Sequence, residues 1–158
     1  MSTPPPAPAP LPDRAHLYAP FRPRMARVTS GVLGALLLVG TAALVLSLYD
    51  WLRLPSAIGV SLVGLGMVWF CWRQATVRAD VDERGIVVRN LAITTRLEWA
   101  EIVSVRFGAG RPWVQLDLSD GDVLSVMGVQ QSDGPRAARE ASRLATLVAL
   151  HSQTPRND

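Results

Sequence analysis

The order of apolar and polar positions divides the chain into regions of different texture, and the longest is an apolar run from Val28 to Trp72. Val28–Leu48 holds no ionisable residue in 21 positions. As α-helix that is roughly 31 Å, the thickness of a bilayer's hydrocarbon core. Pro55–Trp72 adds 18 residues, roughly 27 Å and a minimal span, and its leading proline suits a first helical turn. Between them Tyr49, Asp50, Trp51 and Arg53 gather amphipathic rings and charges as an interfacial turn requires. Trp69 and Trp72 form the matching belt, and Arg73 closes the run. The pattern predicts a transmembrane hairpin over 28–72, with spans at 28–48 and 55–72. A buried hairpin in a soluble protein would keep one polar face, which neither segment has. A cleaved signal peptide has a shorter apolar core and no second span behind it.

Beyond Ala75 the period changes to two. Thr76–Val81 sets Val77, Ala79 and Val81 against Thr76, Arg78 and Asp80. Asp82–Gly85 turns into Ile86–Arg89, Asn90–Thr94 reverses into Thr95–Trp99, and Ala100-Glu101 leads to Ile102–Phe107. There Val103, Val105 and Phe107 oppose Ser104 and Arg106. After the loop Gly108–Pro112, Trp113–Leu118 places Val114, Leu116 and Leu118 inside. Asp120-Gly121 is a hairpin signal and Val123–Met127 returns. Six to seven antiparallel strands curled into a small β-sandwich or open barrel follow from this alternation.

Ser132-Asp133-Gly134-Pro135 supplies capping chemistry and an early proline for a C-terminal helix over 135–151. Ala137, Ala141, Leu144 and Val148 share one face, and Arg136, Arg139 and Arg143 the other. This helix is expected to cap an open end of the sheet, the domain spanning 75–151, with its arginines in solvent. The alternative for that stripe is anionic lipid. Residues 152–158 read as a disordered tail.

The N-terminal segment 1–27 holds eight of the twelve prolines. It is expected to be an extended, disordered spacer; the alternative is a ligand for an aromatic-lined groove. Its charge changes the picture more than its shape does. All sixteen basic residues are arginine, and the net charge is +3. Arg14, Arg22, Arg24 and Arg27 face only Asp13 in the tail, whereas residues 75–152 carry nine arginines against ten carboxylates. The excess therefore lies beside the first span, where the positive-inside rule uses it, and is no footprint for nucleic acid. Arg73 and Arg78 follow the second span, while Arg53 in the turn is balanced by Asp50. A multi-pass cell-membrane protein with both termini cytoplasmic is expected.

Chemistry is sparse. Neither span contains a carboxylate, arginine or histidine, against a transporter or proton relay. Gly31, Gly34, Gly40, Gly59, Gly64 and Gly66 suit packing within the hairpin, a homo-oligomer being the alternative. Cys71 has no partner thiol, and His16 and His151 alone make no triad or metal site. Asp80, Asp82, Glu98, Glu101, Asp117, Asp120 and Asp122 fall on turns or outward positions and read as solvated surface. Gly108-Ala109-Gly110 lacks the helix N-terminus of a phosphate loop. Trp99 and Trp113 read as core packing in preference to ligand stacking. The expectation is a non-enzymatic protein without a cofactor.

Asp82–Gly85 as a D-E-x-G turn, Trp99-Ala100-Glu101-Ile102 before a strand, and Gly110-Arg111-Pro112-Trp113 occur in an order that carries a resemblance. From about Val28 to Leu150 the chain resembles small actinobacterial membrane proteins with a bacterial PH-like domain, the type named after mycobacterial low-molecular-weight protein antigen 6. The resemblance implies two membrane helices before a PH-like domain and supplies no catalytic residues. An all-arginine, alanine-rich composition agrees with a GC-rich source.

The leading expectation is a PH-like domain presented at the cytoplasmic membrane surface as an interaction or scaffold module. Confinement would make a weak contact with another membrane or envelope protein adequate, through a sheet edge or the loop Gly108–Pro112. The alternative is an anionic lipid-headgroup reader. Arg78, Arg84, Arg89 and Arg96 would be its phosphate contacts, and Arg111 a further lipid or partner contact.

Overall fold

The computed structural model describes residues 14–51, 53–108 and 110–152; the expectations for 1–13 and 153–158 lie outside the described residues. In chain order there are α1 (Arg14–Leu17), α2 (Arg24–Ser47), α3 (Leu54–Ala75), β1 (Arg78–Val81), β2 (Gly85–Arg89) and β3 (Thr94–Glu98). A 3-10 turn at Trp99–Glu101 leads to β4 (Ile102–Arg106), β5 (Trp113–Leu118) and β6 (Val123–Gln130). A second 3-10 turn, Gln131–Asp133, precedes α4 (Pro135–Ser152).

The apolar run forms two helices that pack along each other. Both overrun the expected spans at their charged ends, α2 beginning at Arg24 and α3 ending at Ala75. Arginine is a good helix former, and its long stem lets the helix continue past the apolar stretch. Each helix is long and apolar enough to cross a membrane, and most of its side chains are exposed, among them Leu36, Val39, Leu62, Val63 and Trp69. The seam is made where side chains vanish: a Cβ on Gly64 would stand 2.3 Å from Thr41 Oγ1, and one on Gly34 would touch Cys71 Cβ at 3.3 Å. Gly31, Gly40, Gly59 and Gly66 meet nothing within 4 Å, so hairpin packing accounts for two of the six glycines.

The β region is two three-stranded antiparallel sheets, β1-β2-β3 and β4-β5-β6, with α4 against β4 and β6. β6 touches both β1 and β2. The Asn90 side chain stitches the sheets: its Nδ2 donates to the Ser125 carbonyl at 2.7 Å, and its Oδ1 accepts from Met127 N–H at 3.1 Å. Between the layers lie Ile86, Val88, Val114, Leu116, Val126, Leu144 and Leu147, all buried. Gly85 is required for a steric reason. A Cβ there would stand 2.0 Å from the Leu97 carbonyl oxygen across the β2–β3 pair. Trp99 is buried as expected, its indole N–H donating to the Asp82 carbonyl at 3.0 Å.

Four expectations are corrected. Val103 points outward, 67% exposed, because the β4–β5 register shifts between Ile102 and Ser104 and inverts the alternation there. Asp133 does not cap α4; both of its carboxylate oxygens accept backbone N–H groups of α2. Arg143 is not part of a solvated stripe, since its side chain is 8% exposed. Finally, residues 14–27 are not a disordered spacer. They hold α1, the start of α2 and, between them, Phe21, which is 1% exposed in the core of the β domain.

Candidate functional site

The junction between hairpin and β domain is built by a strap, residues 18–23. Prolines fix their own φ and push the preceding residue into extended backbone, so Pro20 and Pro23 hold Ala19 and Arg22 extended on either side of Phe21. Phe21 thereby makes a one-residue β-bridge with Ala79: its N–H donates to the Ala79 carbonyl at 2.8 Å and its carbonyl accepts from Ala79 N–H at 2.9 Å. Gly128 on β6 leaves room for this crossing, since a Cβ there would lie 3.0 Å from Ala79 N and 3.1 Å from Phe21 O.

Arg143 on α4 locks the strap from outside. Its guanidinium lies 3.8 Å from the centre of the Phe21 ring, a cation–π geometry. Its Nη1 donates to the carbonyls of His16, Leu17 and Ala19 at 2.8, 3.1 and 2.7 Å, and its Nη2 to Glu140 at 2.6 Å. His151 closes the end of α4 on the same strap. Its Nδ1 donates to the Leu147 carbonyl at 2.9 Å, and its Nε2 shares a hydrogen bond with the Tyr18 hydroxyl at 3.1 Å. The imidazole stacks on Trp99 at 5.0 Å.

The strap brings Arg22 and the first turns of α2 against the end of α3 and the start of the first sheet. Arg22, Arg27, Ala75, Thr76, Val77, Arg78 and Arg89 line a cleft of about 150 Å³ there. Arg78 and Arg89 are directly opposed across the β1–β2 pair, and like charges in that relation repel. Arg78 Nε is 2.7 Å from Asp80 Oδ2; among the described residues Arg22, Arg27 and Arg89 have no carboxylate at ion-pair distance. The sum is a concave patch of positive charge at the hairpin's end, suited chemically to an anion.

Of the five arginines singled out in the sequence, the structure brings Arg78 and Arg89 together and separates the rest. Arg84 lies at the β1–β2 turn and Arg96 lies on β3 opposite Val87, two residues along β2 from Arg89; neither lines the cleft, and the two share a surface hollow with Glu98 and Glu101. The Asp82 carboxylate sits there as well, accepting N–H groups of Arg84 and Gly85 at 2.8 and 2.9 Å, with Arg96 Nη2 at 3.8 Å. Those two backbone N–H groups, with a smaller contribution from Arg96 and Arg84, hold its carboxyl below the ordinary aspartate range. That hollow is mixed in charge and is a weaker anion site. Arg111, in the β4–β5 loop, donates from Nε to Gln115 Oε1 at 2.9 Å. Arg22 and Arg27 were outside the sequence candidates, because a proline-rich tail carried no hint of a fixed position beyond the isolated aromatic at Phe21.

Residues 76–145 match the family model of the bacterial PH domain. Uncharacterised proteins of Mycobacterium tuberculosis (strain H37Rv) and Mycobacterium bovis are each 30% identical to the chain over 118 residues, covering 75% of it and 73% of the relative. The chain belongs to one family with these mycobacterial proteins, and its β domain with α4 is a bacterial PH domain. No solved structure matches the chain.

Proposed function

We propose that the protein is a membrane-anchored, non-enzymatic module of the low-molecular-weight protein antigen 6 type. In this reading α2 and α3 cross the bilayer, and the PH domain stands at its cytoplasmic surface to engage another membrane or envelope protein. The observation that carries the reading is the junction itself. Phe21 enters the domain's core and Asp133 caps α2, so the domain is seated on the hairpin's ends with a set orientation instead of trailing on a loose linker. A domain held this way presents a fixed surface to a partner, with Val103 on β4 as an exposed apolar contact. Partner recognition then benefits from confinement at the surface.

Anchoring and orientation are tested in the full-length chain with Cys71→Ser as background and a single new thiol at Ser119→Cys, on an exposed hairpin turn. The protein is expected to remain in the carbonate-washed membrane fraction. Its thiol should react with an impermeant maleimide only after the membrane is opened. Release into the carbonate wash defeats the anchor, and labelling of intact spheroplasts reverses the topology. The interaction role is tested by a photocrosslinker at Val103 in cells, expected to give one discrete adduct; no adduct overturns that role for this face.

A further inference from the structure

We propose that the arginine cleft and the groove between α2 and α3 form one binding site for an anionic phospholipid. Arg22, Arg27, Arg78 and Arg89 would hold its phosphate, and an acyl chain would lie along the groove. The proposal rests on the membrane reading above and deepens it.

The groove is lined by Ser30, Leu33, Leu37, Met67, Phe70 and Gln74, among others, with a volume of about 520 Å³. Its lining residues adjoin those of the cleft along both helices. On α2, Arg27 in the cleft is one helical turn from Ser30 in the groove; on α3, Gln74 in the groove adjoins Ala75 in the cleft. Polarity along this path changes in the order found in a phospholipid. Four guanidinium groups come first, then a hydroxyl and an amide at the level of the ester linkages, then hydrocarbon. Arg78 already pairs with Asp80, whereas Arg89 directly opposite it has no carboxylate at ion-pair distance among the described residues, so a phosphate bridging the two adds charge-assisted hydrogen bonds and relieves their remaining repulsion. Gly66 lines the groove and would meet nothing within 4 Å if it carried a Cβ, so the groove is open where an acyl chain would enter.

The test is native mass spectrometry of the full-length chain released from nanodiscs of equimolar phosphatidylglycerol and phosphatidylcholine. The native chain is expected to retain one phosphatidylglycerol in preference to phosphatidylcholine by about tenfold. The double variant Arg78→Gln/Arg89→Gln should lose that preference; if it melts early, Arg22→Gln/Arg27→Gln, outside the sheets, is read in its place. Gly66→Leu should lose the bound lipid while keeping every arginine. Excess inorganic phosphate should not displace the lipid. Equal retention of the two lipids overturns the proposal, as does indifference to the arginine pair that is read. Full retention by Gly66→Leu, or displacement by phosphate, reduces the site to a phosphate cleft without a chain and overturns the combined site. A native chain that stays in the carbonate-washed membrane yet shows no lipid preference defeats this inference alone, whereas one that washes out defeats the membrane reading first.

Discussion

Asp133 Oδ1 accepts the backbone N–H of Met25 at 2.8 Å while its Oδ2 accepts that of Arg24 at 3.0 Å. A residue between the last strand and the last helix thus caps the first long helix, placing a carboxylate at the positive end of its dipole. The contact joins domain and hairpin at the same end where Phe21 enters the core, and the two together define how the domain stands on its anchor.

Asp133→Ala is expected to lower stability by about 1 kcal/mol, the usual loss for a removed N-cap. Asp133→Asn, which keeps an acceptor, should retain more than half of it. Thermal melts in detergent read the change, and hydrogen exchange should quicken at Arg24–Arg27 first. Unchanged exchange there would mean the cap does not hold the helix end.

Phe21→Ala removes a fully buried ring and is expected to cost about 3–5 kcal/mol. Arg143→Ala removes its cation–π partner and leaves the carbonyls of His16 and Leu17 in α1 and of Ala19 in the strap short of a donor. Because the two residues touch, the double variant should cost less than the sum of the single ones. Arg143→Lys should not rescue, since one ammonium cannot reproduce the planar fork. Strict additivity in the melts would sink the coupling.

Two glycine substitutions should move stability in opposite directions. Gly85→Ala drives a Cβ to within 2.0 Å of the Leu97 carbonyl and must spread β2 from β3. Gly66→Ala meets no neighbour within 4 Å and should stabilise α3 by about 1 kcal/mol through helix propensity. Melting temperatures of the two full-length variants, below and above the native value, check the pair.

Asp82 makes acid stability measurable at one residue. Its carboxyl titrates below the ordinary aspartate value because Arg84 and Gly85 N–H groups bind the charged form. The stabilisation is therefore complete above the unfolded value and is lost as pH falls through the native one. Asp82→Asn should melt lower than the native chain at neutral pH, and the gap should narrow as the medium is acidified below about pH 4. Parallel melting curves across that range would remove Asp82 from the acid response.

The elements were largely legible along the chain. The two apolar helices, the six strands and the capping helix each declare themselves through local periodicity, and the bacterial PH domain stands where the D-E-x-G turn and the Trp99 step pointed. Val103 escaped because a bulge shifts the strand's face by one residue without altering composition. Asp133 escaped because a capping residue looks the same whichever helix end it serves.

Hydrophobic period, span length and turn chemistry depend on neighbours a few residues apart, so the sequence by itself determined which segments are helix and strand and which faces are apolar. Tertiary structure alone decided what meets at the junction. Arg143 reaches the carbonyl of a residue 127 positions earlier, and Asp133 a backbone amide 108 positions earlier. Arg22 and Arg27 join Arg78 and Arg89 only because Phe21 anchors the strap beside β1. Such contacts follow from how the packed layers close over Phe21, and no local pattern in the chain encodes that closure.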